Sequence, residues 1–194
     1  MARYPAIAAM SDAVLGLLRT SSTGGEFDGV EFAHYQAGSF ESPMSLGLSL
    51  YFYRIAVNAN RNLNPMLGTD GRRSRPPIPL DAHFLVTAWA PDAIRQQRML
   101  GYAIRTLEDT PILPAGVLNQ HAPEPDVFRP DETVELVFEA VSVQDMSYIW
   151  EVAQTKEQPS ATYVARMVEL GSTVALEDAG AVQTREFTYG EVRT

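Results

Sequence analysis

The run from Ser45 to Asn58, SLGLSLYFYRIAVN, sets Leu46, Leu48, Leu50 and Phe52 on one face of an extended chain and Tyr51, Tyr53 and Ile55 on the other. A strand that is apolar on both faces has to lie inside a sheet that is covered on two sides. The run from Leu80 to Ala90, LDAHFLVTAWA, has the same character and predicts a second central strand. Whatever else the chain contains must supply cover for these two.

Helical spacing supplies candidates. Ile7, Met10, Val14, Leu17 and Leu18 predict an amphipathic helix over 6–19, a better reading than a secretory leader because Ser11 and Asp12 interrupt the apolar run. It stops before TSSTGGEFDG, and a short strand is expected near GVEFAHY. Pro91 and Asp92 open a helix whose face carries Ala93, Leu100, Ala103, Ile104 and Leu107 and which ends before Pro111. After a proline-rich acidic connection, HAPEPDVFRPDE, comes the strand TVELVFEAV. Ser142 followed by Asp145 reads as a capping box opening a helix with Met146, Ile149 and Trp150. The last core strand is ATYVARMVEL. This order defines an α/β (α+β) fold, a single-domain mixed β-sheet flanked by helices. Beyond Gly171 the chain has little to pack, although VQTREFTYG has strand-forming residues suited to pairing with a partner.

With 194 residues, 45% of them hydrophobic, the chain supports one sizeable core. Its formal charge of −9 argues against general affinity for nucleic acid or anionic lipid, both of which need a basic face. No apolar run approaches the roughly 20 residues of a membrane-spanning helix, so a soluble protein made in the cytoplasm is expected. The absence of cysteine excludes disulfides and thiolate metal sites. His34, His83 and His121 are scattered without metal-ligand spacing, and there is no phosphate-binding loop, dinucleotide fingerprint or nucleophile elbow. No catalytic, cofactor-binding or metal residue is therefore expected. The alternative is a small-molecule enzyme with a pocket around Asp81 and His83, which share one face of a strand as a base and its orienting acid would.

From Asn58 to Pro79 the periodicity fails. NANRNLNPMLGTDGRRSRPPIP is a long loop with asparagine at 58, 60, 62 and 64, and with Arg61, Arg72, Arg73 and Arg75 against one acid, Asp70. Long ordered loops in compact domains usually serve a function. Asparagine carries both donors and acceptors and can satisfy backbone groups where a chain leaves a sheet.

Together, LSLYFYRIAVNANRNLN, the basic loop ending RPPIPLDAHFLVTAWA, and RMLGYAIRTLEDTPIL resemble the cap, or tube-terminator, family of phage-tail-like contractile injection systems, which includes the virulence-cassette and antifeeding-prophage particles. The matching positions are Leu50, Tyr51, Phe52, Tyr53 and Arg54, then Arg61 and Asn62; Pro79, Leu80 and Asp81; and Leu100, Gly101, Leu107 and Pro111. The helix of Trp150 and the strand residues Ser160 and Tyr163 also match, so the likeness covers about residues 6–170. Phe52 and His83 depart from the pattern, standing where an aliphatic and an aromatic residue are commoner.

The resemblance implies a phage tail-terminator-like cap domain over 1–170; the segment 171–194 lies outside the likeness and is expected to be a C-terminal arm that adds a strand to a sheath subunit or a neighbouring cap. The resemblance implies a structural protein, not an enzyme: a homohexameric ring that ends the inner tube at its distal end and couples it to the sheath. The expected partners are further copies of the chain, the inner tube protein and the sheath protein, with no nucleic acid, membrane or cofactor. Such a protein is made in the cytoplasm and becomes part of an assembled particle that can be released. The expected interface residues are Asn58, Asn60, Arg61, Asn62, Arg72, Arg73 and Arg75 in the loop, with Phe187 and Tyr189 in the arm.

Overall fold

The computed structural model describes residues 2–22, 27–67, 73–122, 124–172, 174 and 176. In chain order the elements are α1 (Ala6–Ser21), β1 (Glu31–Tyr35), a 3-10 turn (Ala37–Glu41), β2 (Gly47–Val57), β3 (Met66–Leu67), β4 (Arg73–Ser74) and β5 (Ile78–Trp89). They continue as α2 (Ala93–Asp109), β6 (Ile112–Pro114), α3 (Ala115–Gln120), β7 (Thr133–Phe138), α4 (Val143–Val152) and β8 (Ser160–Leu170).

Six strands form one sheet in the order β1-β2-β5-β8-β7-β6. The β1–β2 pair is parallel and the other pairs are antiparallel, which makes the sheet mixed. The two runs predicted to be central are adjacent in it, with β5 flanked by β2 and β8. One face, with Leu48, Leu50, Phe84, Val86, Leu136 and Tyr163, packs on Met10 and Leu18 of α1, Met99 and Leu107 of α2, and Leu118 of α3. The opposite face has a smaller aromatic core in which Leu85 and Trp89 meet Phe40 of the 3-10 turn and Trp150 of α4. Phe40 lies edge-on to both Tyr51 and Trp150, with ring centroids 5.1 and 5.4 Å away.

The helix starts follow the sequence signals. Asp92 caps α2 by accepting a hydrogen bond from the Arg95 amide at 2.8 Å, and the Ser142 hydroxyl caps α4 by accepting from the Asp145 amide at 3.1 Å. Elsewhere the chain differs from the sequence reading. β5 begins at Ile78, two residues earlier than expected, because Ile78 and Pro79 pair with Leu170 and Glu169 at the end of β8. The short β6 and α3 carry no periodicity long enough to read, and tertiary packing of Leu113 and Leu118 holds them in place. Within the loop, β3 and β4 form a two-stranded ribbon.

A further difference concerns Ile55. Strict alternation groups it with Tyr51 and Tyr53, but the β2–β5 register slips by one residue between Phe52 and Arg54. The extra residue is a β-bulge, which turns every later side chain to the other face. Ile55 consequently lies opposite Ala82, on the face of Leu50 and Phe52. A second slip, in β8 opposite Asp81, leaves Met167 at a φ of 60°, an uncommon conformation for a residue with a side chain.

Candidate assembly surface

At one end of the sheet the closing residues of β2, the opening residues of β5 and the closing residues of β8 come together, and Asp81 ties them. Its two carboxylate oxygens accept from Asn58 Nδ2 at 2.9 and 2.8 Å, and Oδ1 also accepts from the Met167 amide at 3.3 Å. A single carboxylate thus holds the exit of β2 and the bulge of β8. The Asn58 amide donates to the Pro79 carbonyl at 2.9 Å, one step beyond the Val57–Leu80 pair that ends the β2–β5 register.

The asparagines beyond it fold the chain locally. Asn58 Oδ1 accepts from the Asn60 amide at 2.8 Å, and Asn62 Oδ1 accepts from the Asn64 amide at 2.9 Å. Each is a side-chain mimic of a backbone turn, which explains why asparagine recurs every second residue. Asn58 is half-buried and fully engaged, whereas Asn60, Arg61, Asn62 and Leu63 are exposed. Arg73 and Arg75 are exposed as well, on and just after β4, and the Arg73 carbonyl accepts from the Leu176 amide at 2.8 Å. Arg72, Phe187 and Tyr189 lie outside the described residues.

Asp81 and His83 do share a face, but they do not form a pair. His83 Nδ1 lies 2.9 Å from Glu139 Oε2, and the same oxygen accepts from the Tyr53 hydroxyl at 2.8 Å. Burial, then the hydrogen bond and the charge of Glu139, push the Tyr53 phenol well above its ordinary 10.0, so it stays a neutral donor. Glu139 escaped the sequence reading because it lies 56 residues from His83, in the short connection after β7. The network lines a shallow hollow of about 330 Å³ with Arg54, Asp145 and Ile149. It crosslinks β2, β5 and the β7–α4 connection.

A second histidine chain also escaped notice. His34 Nδ1 is 3.0 Å from Ser11 Oγ, and its Nε2 is 2.7 Å from Asp12 Oδ1. These are the residue types of a hydrolase triad. Ser11, however, is buried inside α1, where the neighbouring amides are committed to helix bonds and cannot hold an oxyanion. The contact locks α1 to β1. Among the described residues no cluster of His, Asp and Glu is placed to hold a metal ion, and no helix is long and apolar enough to cross a membrane.

A mixed sheet covered on both faces, with an exposed asparagine- and arginine-bearing segment at one end, defines an α/β domain. The chain belongs to the family described as the Pvc16 N-terminal domain, whose sequence model matches residues 9–184. Its fold is shared with the PVC sheath/tube terminator of an extracellular contractile injection system in the extended state. The identity there is 14% and the TM-score 0.64, over 96% of this chain and 64% of that one. It is shared too with the tube-terminating cap of the anti-feeding prophage, at 13% identity and a TM-score of 0.57, over 93% and 60% of the two chains. The chain therefore spans a little under two thirds of the length of each of these proteins. No curated protein matches it.

Proposed function

We propose that the chain is a structural cap that terminates the inner tube of a contractile injection particle and couples it to the sheath, without catalysis. The observation that carries this is a fold shared along nearly the whole chain with two tube-terminating proteins of such particles, together with membership of the family. The working form is a homohexameric ring on the tube end. A stacked tube ends in unsatisfied edges and unmatched charge, and a ring that pairs with them without offering a fresh copy of the same edge stops growth.

In this reading residues 1–170 are the cap domain and 171–194 an arm that reaches a neighbouring cap or a sheath subunit by adding a strand, with Phe187 and Tyr189 as its anchors. Asn60, Arg61, Asn62, Arg72, Arg73 and Arg75 face the partner, while Asn58 shapes the ribbon that presents them. The protein is made in the cytoplasm and leaves only as part of a particle. The test is electron microscopy of particles assembled without it. Tubes of variable length, detached from their sheaths, are expected; tubes of normal length firmly joined to sheaths overturn the proposal.

A further inference from the structure

Toward the end of the sheet where β2 closes and β5 opens, the register decides what each face carries. Val57 lies opposite Leu80 and Ile55 opposite Ala82, and directly opposed residues of an antiparallel pair project to the same face. Ile78 follows Leu80 and Ala82 in the alternation. All three therefore stand on the face of the main core, yet Ile55 is 48%, Val57 54% and Ile78 39% exposed, whereas Leu80 and Ala82 are buried. The helical cover ends there. Adjacent β-branched aliphatics exposed at this end of the sheet, where β5 still pairs with β8 as far as Ile78, are the kind of contiguous apolar surface that marks an interaction site.

The charge around this face narrows the partner. Residues 58–79 carry a formal +3, and since the whole chain is −9 the remainder carries −12. An apolar centre with a basic rim suits an acidic surface that has its own apolar centre. The other half of the same sheet end has one. Ile112 is exposed on β6, the three-residue edge strand, opposite the exposed Glu135 of β7. Glu135 pairs with Arg166 of β8, level with Asp81 of β5. The segment 124–135 leading into this edge holds five acidic residues against one arginine, with Arg3 on Glu124 and Arg129 on Asp131.

We infer that the Ile55, Val57 and Ile78 face, with the exposed Arg61 and Arg75 beyond it, docks on the β6–β7 edge of a second copy of this chain. Each copy then gives one surface and receives at the other, a head-to-tail contact that closes into a ring. A second copy fits better than a tube subunit because both halves of the contact, basic on β2–β5 and acidic on β6–β7, are present in one sequence. The inference rests on the ring reading above and assigns its contact.

The test uses full-length chains and measures self-association by light scattering and electron microscopy, alone and with tube ends, with circular dichroism melts to confirm folding. Variant one carries Arg61→Glu and Arg75→Glu, and variant two carries Asp131→Arg and Glu135→Arg. Each alone is expected to weaken self-association by about tenfold or more, and mixing them is expected to restore rings because the reversed surfaces complement each other. Val57→Asp should also abolish rings, with no rescue by either variant. Wild-type rings that persist in both charge variants and in Val57→Asp overturn this contact and leave the ring reading standing. A wild-type chain that does not self-associate, alone or on tube ends, overturns both.

Discussion

Two acids, Asp81 and Glu139, hold distant parts of the sheet together. Each gathers donors from strands far apart in sequence, Asp81 from Asn58 and Met167 and Glu139 from Tyr53 and His83. Tyr53→Phe removes one donor while His83 remains, so a loss of about 1 kcal/mol is expected at neutral pH in urea denaturation. The pH dependence has a defined sign. Tyr53 has a folded pKa above its unfolded value of 10.0, so its contribution is complete below pH 10 and is lost as pH rises through the folded pKa, when a second negative charge would form beside Glu139. Tyr35, Tyr102 and Tyr163 are also raised, chiefly by burial. The alkaline decline in stability should therefore be shallower in Tyr53→Phe than in the wild type, but still present.

At the scale of elements, the parallel edge depends on one glycine. A Cβ at Gly47 would stand 2.6 Å from the Glu31 carbonyl oxygen and collide with the Met44 sulfur, so β1 and β2 approach only because position 47 has no side chain. Gly47→Ala should cost about 1–3 kcal/mol through forced separation of the strands. Hydrogen exchange should show the loss concentrated in β1, where His34 anchors the edge to α1. The central strands and the caps of α2 and α4 were legible beforehand because each is encoded within a few neighbouring residues. The bulge in β2 was not, because nothing in YFYRI marks which residue is the extra one; the pairing with β5 decides it.

For the whole molecule, the course of the chain after β8 bears on how the cap would couple to its surroundings. The Gly171 amide donates to the Ala2 carbonyl at 2.8 Å, and Leu176 reaches Arg73 on the basic ribbon. A chain ending after Leu176 keeps both contacts and loses residues 177–194 of the arm, Phe187 and Tyr189 with them. If the arm adds a strand to a neighbour, this truncation should fold with an unchanged melting temperature and still form rings, yet couple poorly to sheath in reconstituted particles. Normal coupling would remove the arm from the proposal.

By itself the sequence determined the mixed sheet with its two doubly covered strands, the helices α1, α2 and α4 with the caps of the last two, and a polar, arginine-bearing loop where the periodicity breaks. These are local properties, written in spacing and in the turn chemistry of asparagine. Only the tertiary structure decided that Asn58 serves Asp81, that His83 belongs to Glu139, and that Ile55, Val57 and Ile78 share an exposed apolar face. The physical reason is the same in each case: a strand pairing brings together residues distant in the chain, and one slip of register changes which of them meet.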